Sequence, residues 1–471
     1  MQPDQISAAD GLPKPRRFMA IAAISAGTAL TIIDGGIATV ALPTIARDLH
    51  VGSSAVVTVV TVYQLILAMA LLPFSGLGDR IGLKRMYQYG QLLFTVATLL
   101  CFFAKSLPFL LVVRAAQALG AAAALSVSSA LIRSIYPTKQ LGRGLGINSV
   151  VVSSSAALAP TIGGLVLAIA PWPWVFASAV PFAIASLLLG RALPEPHRRD
   201  EPFDVLGAVM CAAMIGLVIG GAESAVHGDS PIVSAAIVLT GVVIGWFFVK
   251  REQGETKPIL PIDLLARPVL ALSAIGAYTA FIAQMTLLLS TPFRLTHAYG
   301  FSAAEVGAAI APWPLANMVV APLSGWLSDR YPAGLLGGIG MSVSICALLL
   351  LAYMPVDPGY FDIAWRMALC GSGFGMFMAP NARLIIGSAP RERAAAAGGL
   401  VSTVRLVGQT TGATLVAALL AMGVGAGMTP PLVAAGLALV AGLCSLSRLR
   451  PSIRNPPTEE TQDVQPASQA R

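Results

Sequence analysis

Charged residues are scarce in this sequence. Asp, Glu, Lys and Arg together make up 11% of its 471 residues, whereas hydrophobic residues make up 56%. Soluble proteins carry roughly 25% charged residues, because water has to solvate their surfaces. This shortage excludes an ordinary soluble domain, and the mean hydropathy of +0.77 agrees with that exclusion. We therefore predict that most of the chain lies in a membrane.

Cysteine and histidine are also rare, with five and four residues, respectively. The cysteines lie in apolar runs without CxxC spacing and the histidines occur singly, so we expect neither disulfides nor a metal site. Neither the phosphate loop GxxxxGK[ST] nor the metalloprotease motif HExxH occurs. These absences argue against ATP-driven transport and metal-dependent hydrolysis. With no paired catalytic residues visible either, we expect no cofactor and no enzyme activity.

Long apolar runs recur from one end of the chain to the other. A run of about 18 or more apolar residues is long enough to span a bilayer as a helix. Charged residues, prolines and glycines divide these runs into fourteen predicted transmembrane helices joined by short loops. The predicted fold class is therefore an all-α membrane protein.

Most Lys and Arg residues fall on one side of the predicted membrane. If the N-terminus is cytoplasmic, the outer loops hold only Arg47, Lys105 and Arg294. Cytoplasmic loops of membrane proteins carry an excess of basic residues. We therefore expect a multi-pass protein of the cell (inner or plasma) membrane with both termini in the cytoplasm. The net charge of +8 is then loop charge and implies no nucleic-acid partner.

Two sequence markers recur in the same order. Asp79-Arg80 follows helix 2 and Asp329-Arg330 follows helix 10, while Arg114 in helix 4 and Arg366 in helix 12 are separated by almost the same interval. Such a repeat predicts two pseudo-symmetric six-helix bundles around an inserted helix pair. The predicted divisions are a cytoplasmic tail 1–17, an N-terminal bundle 18–191, the inserted pair 204–249, a C-terminal bundle 269–447 and a disordered cytoplasmic tail 448–471.

Four segments resemble motifs of one transporter family. SGLGDRIGLKR (75–85) resembles the loop between helices 2 and 3 of the major facilitator superfamily, and LLVVRAAQALGAA (110–122) resembles its helix 4 motif. APTIGG (159–164) is similar to the motif of its drug/proton antiporters, and the segment around Asp34 to a stretch of their fourteen-helix branch. The resemblance implies a major facilitator-type fold of 6 + 2 + 6 helices and exporters of the quaternary-ammonium or methyl viologen type.

Asp34 is the only acidic residue predicted to lie deep within a span. A charged residue at mid-membrane costs roughly 2.5–3.5 kcal/mol on insertion scales, which makes it a functional candidate. Helix rise places Arg114 at a similar depth. Two hypotheses remain open. Asp34 exchanges protons at a central cavity with Arg114 beside it, or the two residues form a static bond between helices.

Three further groups complete the predicted site. The loop motif would latch the two bundles on the cytoplasmic side, and the antiporter motif would bend helix 5 and allow close approach at their interface. A purely topogenic loop and ordinary small-residue packing are the alternatives. The loop residues are Asp79, Arg80, Gly82, Lys84 and Arg85; the antiporter residues are Pro160, Gly163 and Gly164; possible cavity residues are Tyr63, Gln284, Trp313, Asn317, Arg366 and Asn381.

The functional hypothesis is a proton-driven exporter of small amphipathic compounds that works by alternating access. Aromatic side chains beside a single acid would suit a lipophilic cation through cation–π contact. The expected partners are the lipid bilayer, protons and the substrate, and a monomer is expected. The alternatives are a specific metabolite exporter or uptake carrier of the same fold, and a transport-inactive membrane scaffold or sensor.

Overall fold

The computed structural model describes residues 11–137, 140–195, 204–226, 228, 230–253, 265–355, 357–388 and 394–450. Regular structure in these residues is entirely helical. The α-helices are α1 Lys14–Asp48, α2 Ser53–Ile81, α3 Leu83–Leu100, α4 Leu107–Ile135, α5 Leu141–Ile169, α6 Pro173–Ala177, α7 Val180–Leu189, α8 Val205–Val226, α9 Pro231–Glu252, α10 Pro268–Tyr299, α11 Ala303–Ile310, α12 Pro312–Leu327, α13 Ala333–Ala352, α14 Tyr360–Gly387, α15 Ala394–Ala421 and α16 Thr429–Ser447.

About twelve of the described helices are long and apolar enough to cross a membrane. Two of these crossings are composite, because α6 with α7 spans Pro173–Ala192 and α11 with α12 spans Ala303–Leu327. Helix α14 is not among the twelve. In the part of α5 whose side chains the structure describes, the apolar stretch runs over Ser154–Ile169. The chain is therefore an all-helical, multi-pass membrane protein.

The structure describes only the parts of the two predicted tails that lie next to the membrane spans. Helix α1 begins at Lys14, within the predicted tail 1–17. Arg448 was assigned to the C-terminal tail, but it is only 6% exposed. The remaining predicted tail residues 1–10 and 451–471 lie outside the described part of the chain.

Local sequence signals explain where many helices begin. Proline occupies the first turn of α4, α9, α10, α12 and α16, where its missing N–H would have had no intrahelical partner. Helix α11 begins with a capping box, in which the Ser302 backbone N–H donates to Glu305 Oε2 at 2.8 Å. These signals allow the short loops that keep successive helices in contact.

The helices pack mainly within two groups. Helix α1 contacts α5 and α7, and α4 contacts α2 and α3. In the second half of the chain, α10 contacts α15 and α16, while α14 contacts α12 and α13. Helices α8 and α9 pack on each other, and α8 also contacts α2 and α15. Contacts between the two groups are made by α2 with α15, by α5 with α11 and α12, and by α1 with α10.

Apolar packing between the groups is concentrated at one end. One buried cluster joins residues near the end of α1 and the start of α2, such as Leu42 and Val56, to Phe293 and Val416 of the second group. At the other end each group has a cluster of its own, one around Tyr87 and one around Leu270, Ile385, Ala397 and Leu400. The end held together is the predicted outer end.

Candidate functional site

A carboxylate–guanidinium pair lies buried between α1 and α4. Arg114 Nη1 is 2.6 Å from Asp34 Oδ2, and neither side chain exposes more than 1% of its surface. Gln117 lies one turn after Arg114 on the same face of α4. Its Nε2 donates to Asp34 Oδ1 at 3.4 Å, so both carboxylate oxygens accept a hydrogen bond. The structure therefore brings together the two residues that the sequence places at one depth.

Side chains from three further helices enclose this pair. The Arg114 guanidinium lies over the Tyr63 ring of α2, 4.3 Å from its centroid, and 5.2 Å from the Phe176 ring of α6. Gln117 Nε2 also donates to Thr98 Oγ1 of α3 at 2.8 Å. The charge of Arg114 is thus matched by a carboxylate and by aromatic faces. In this conformation the pair is closed off inside the N-terminal group.

The loop motif forms a one-residue junction between α2 and α3. Gly82 has φ 108°, and its backbone N–H donates to Gly78 O at 3.0 Å. Lys84 Nζ donates to Arg191 O at 3.0 Å and so ties the start of α3 to the segment after α7. Asp79 and Arg80 lie in the last turn of α2, and the exposed Arg85 lies in the first turn of α3. The predicted latch between the two bundles stays a prediction.

The second half contains the other copy of the Asp-Arg marker. Asp329, the counterpart of Asp79 in the repeat, forms an ion pair with Arg383 of α14. Arg383 Nη1 also donates to Ser328 Oγ at 2.8 Å. This ion pair joins the end of α12 to α14 within the second group, whereas the latch predicted for the first loop would join the two bundles.

Replacing Gly82 with alanine tests this turn. A residue with a side chain pays roughly 1–3 kcal/mol in a sparsely populated backbone conformation such as φ 108°, ψ 126°, so we expect the purified variant to unfold at a temperature lower by up to a few degrees. Gly220→Ala is the matched control, because a Cβ there meets nothing within 4 Å. Equal unfolding temperatures for the two variants in detergent would contradict the strained turn.

The antiporter motif lies where the two groups of helices meet. A Cβ added to Gly164 of α5 would lie 2.8 Å from Ala303 O of α11, and a Cβ on Gly307 would collide with Pro160 O. Gly163 faces α1 instead, with its added Cβ 3.5 Å from Ile37. Because these positions lack side chains, the backbones of α5 and α11 approach closely.

The six possible cavity residues do not form one cluster. Tyr63 lies beside Arg114, as described above. Asn381 of α14 lies in the second helix group, where its Nδ2 donates to Ser273 O of α10 at 3.1 Å. Its Oδ1 accepts a hydrogen bond from Arg448. Arg366 pairs with Asp362 one turn earlier in α14. Arg114 thus pairs with an acid on another helix, whereas its proposed counterpart Arg366 pairs with an acid on its own helix.

The other three candidates lie on helices of the second group. Trp313 is buried in an apolar cluster and packs against Phe374, with ring centroids 5.8 Å apart. Asn317 Oδ1 faces Gly375 of α14, 2.7 Å from a Cβ added there. The buried atoms Gln284 Oε1, Asn317 Oδ1 and Tyr63 Oη have no hydrogen-bond partner among the described residues. Such atoms are available to water or a substrate.

Two arginines stand apart from these predicted groups. Arg405 of α15, which the motifs leave without a role, has no hydrogen bond or ion pair in the described part of the chain, and its buried Nε is unpartnered. Arg448 was placed in the tail because it follows the last apolar run. A polar residue next to an apolar run gives no sign of which neighbouring helices cover it, so the sequence could not reveal its burial.

Comparison with known proteins agrees with the motifs. Residues 24–413 match the family model described as Major Facilitator Superfamily. The chain is 44% identical to "Uncharacterized transporter YebQ" of Escherichia coli (strain K12) over 439 residues, which are 93% of this chain and 96% of the relative. It is 28% identical to "Methyl viologen resistance protein SmvA" of Salmonella typhimurium (strain 14028s / SGSC 2262), over 85% of this chain and 81% of that protein.

A solved structure has the same fold. The crystal structure of the peptide transporter POT in complex with sulfate superposes with a TM-score of 0.70 at 17% identity, over 94% of this chain and 96% of that chain. The helical fold and these relatives define a multi-pass membrane transporter rather than an enzyme. The chain belongs to the major facilitator superfamily, and its relatives include "Multidrug resistance protein Stp" of Mycobacterium tuberculosis (strain CDC 1551 / Oshkosh), at 29% identity over 88% of this chain and 78% of that protein.

Proposed function

We propose that the protein is a proton-coupled antiporter that exports small amphipathic compounds by alternating access. The observation that carries this proposal is the buried Asp34–Arg114 pair, with its 2.6 Å contact. A deep carboxylate can take up and release a proton, and acids inside transporters serve as proton relays. A potential of about 100 mV supplies roughly 2.3 kcal/mol per net charge moved inward. It would drive export of a cation when the entering protons carry more charge than the substrate carries out.

Protonation would change what holds α1 to α4. A neutral Asp34 no longer attracts the guanidinium of Arg114, which would keep its contact with the Tyr63 ring. Loss of the ion pair then frees α1 to shift against α4. Gln117, which bonds to both Arg114 and Asp34, can follow either partner.

A short route connects this pair to the contact between the halves. Two residues after Asp34, a Cβ on Gly36 would lie 2.6 Å from Ala159 Cβ of α5. On its other face, α5 presents Gly164 to Ala303 of α11. A shift of α1 would therefore press directly on the antiporter motif. We propose that this route couples protonation to the opening and closing of the outer side.

The proposed topology has fourteen crossings arranged as 6 + 2 + 6. Helices α5 and α14 have 29 and 28 residues, and at about 1.5 Å per residue each exceeds a hydrocarbon core of about 30 Å. Packing within two helix groups, with α8 touching both α2 and α15, supports the inserted pair. The proposal includes cytoplasmic termini, a location in the cell membrane and a monomeric carrier.

The substrate class is proposed as amphipathic, with lipophilic cations as the first compounds to test. The name of one relative refers to resistance to methyl viologen, a dication. The rings of Tyr63 and Phe176 already face a guanidinium. A substrate cation could compete for such rings when Arg114 moves.

Export can be tested in inverted membrane vesicles that contain the protein. We expect methyl viologen or a fluorescent cationic dye to accumulate in energised vesicles, and an uncoupler to abolish the accumulation. The substrate should also drive proton movement, which a pH-sensitive dye reports. Vesicles without the protein are the control. Uptake that is unchanged by the uncoupler would contradict proton coupling. If no compound in a broad panel is transported, a scaffold or sensor is favoured.

A further inference from the structure

A cavity of about 430 Å³ lies at one end of the second helix group. Its lining comes from four helix ends: the starts of α10 and α13, the end of α14 and the residues after α16. None of the predicted site residues lines this cavity. In the proposed topology all four helix ends lie at the cytoplasmic surface. The lining includes Arg267, Pro268, Ala333, Ser388, Arg448 and Leu449.

Arg448 brings a buried positive charge to the cavity. Its Nη1 donates to Ser273 Oγ at 2.7 Å and Asn381 Oδ1 at 2.6 Å, and its Nη2 donates to Ser445 Oγ at 2.7 Å. All three acceptors are neutral, no carboxylate pairs with Arg448 in the described residues, and its Nε has no partner. A buried guanidinium without a counter-ion is costly. Among the described residues, the buried charge of Arg448 is therefore not balanced by a carboxylate.

A second arginine and two helix N-termini add positive charge at the same cavity. Arg267 donates to Ser388 O at 2.9 Å, and it too has no carboxylate partner among the described residues. Helices α10 and α13 both begin at the cavity, at Pro268 and Ala333. The N-terminus of a helix carries partial positive charge and favours anions. Two arginines and two helix starts thus surround one space, and none of the described residues that line it is acidic.

The apolar surroundings indicate a ligand with hydrocarbon chains. Leu449 lines the cavity and is 38% exposed. Along the adjoining surface of α13 and α16, Leu335, Ile339 and Leu446 are exposed. In a membrane these side chains meet acyl chains. A soluble phosphate would use the arginines and leave this apolar surface unused, whereas a phospholipid would use both.

We propose that this cavity binds the phosphate-bearing headgroup of an anionic phospholipid, whose acyl chains run along α13 and α16. Anionic lipids are enriched in the cytoplasmic leaflet, and basic pockets between transmembrane helices bind their headgroups. Placement in that leaflet rests on the proposed topology, but the site itself does not depend on proton coupling. The lipid supplies the missing counter-charge of Arg448 and joins the ends of α10, α13, α14 and α16.

Lipid retention by the purified protein tests the proposal. The protein is reconstituted in nanodiscs of phosphatidylglycerol and phosphatidylcholine, transferred to detergent, and its retained lipids are measured by native mass spectrometry. We expect preferential retention of phosphatidylglycerol. Loss of one charge-assisted contact in Arg267→Gln should lower that retention by about tenfold. Arg133→Gln, an exposed basic residue at the same membrane side in the other half, is the matched control and should retain the lipid.

Two further measurements separate the outcomes. Arg448→Gln should lose the lipid as well. If burial of residue 448 makes that variant fail to fold, Arg267→Gln still tests the proposal, because Arg267 is exposed and its replacement should not disturb folding. Inorganic phosphate should compete only weakly with phosphatidylglycerol. Equal retention of both lipids, unchanged retention in Arg267→Gln, or displacement of the lipid by phosphate at low concentration would overturn the proposal. Vesicle transport in Arg267→Gln keeps its uncoupler sensitivity, so failure here leaves the antiport proposal standing.

Discussion

Asp34→Asn is expected to abolish substrate-driven proton movement. The variant keeps the size of the side chain and its bonds to Gln117, but it cannot exchange a proton and leaves Arg114 without a counter-charge. Removing one partner of a buried ion pair costs about 3–5 kcal/mol. We therefore expect a lower unfolding temperature. We also expect proton-coupled transport to fall by more than about tenfold, because an amide at this position cannot exchange a proton. Vesicle assays of proton flux and dye uptake measure the effect.

The double variant Asp34→Asn/Arg114→Gln separates coupling from structure. Its two amides can hydrogen-bond to each other, and no charge remains buried. If Asp34 only ties helices together, the double variant should regain both stability and transport. If Asp34 carries the proton, it should regain stability but not proton-coupled transport. Asp362→Asn is the control, because Asp362 also pairs with an arginine but lies in the first turn of α14.

Gly307→Val is the second variant with a large expected effect. A Cβ at this position would collide with the carbonyl of Pro160, so valine should push α11 away from α5. The outer side would then open more readily, and transport should fall by more than about tenfold if closing costs a further 1.4 kcal/mol. Dye uptake by vesicles measures that loss. Gly436→Val in α16 is the matched control, since a Cβ there meets nothing within 4 Å.

Chemical labelling reports the opening itself. Ser54 Oγ donates to Ala417 O at 2.9 Å and so joins α2 to α15 across the same end of the protein. In a background without the five native cysteines, a cysteine at position 54 should react severalfold faster with a polar thiol reagent when Gly307 is valine. Unchanged labelling together with normal transport would show that close packing of α5 and α11 is not needed.

The sequence could predict most of the helices because their signals are local. Apolar runs set the spans, and prolines, glycines and the Ser302–Glu305 capping box mark their ends. Helix α14 is less evident, because charged residues such as Asp362 and Arg366 dilute its apolar character. Helix rise alone could place Asp34 and Arg114 at a similar depth in the membrane, but it left open whether they are in contact.

The tertiary neighbours of single polar residues could not be predicted. Helix periodicity assigns a residue to a face but does not say which helix covers that face. Asn381 was therefore grouped with Tyr63, although it bonds to Arg448. In the same way, Arg366 was matched to Arg114 by its place in the repeat, but its acid lies one turn away on its own helix. The burial of Arg448 depends on four helix ends that are distant in the sequence.

Proton release on substrate binding tests the central claim most directly. The exported compound that gives the strongest vesicle signal is added to purified protein in weakly buffered solution, and the change in pH is recorded. We expect wild type and Asp362→Asn to release protons on binding, because substrate favours the state in which Asp34 gives up its proton. The double variant Asp34→Asn/Arg114→Gln should bind without release. Undiminished release from the double variant would contradict the assignment of Asp34 as the proton-exchanging group.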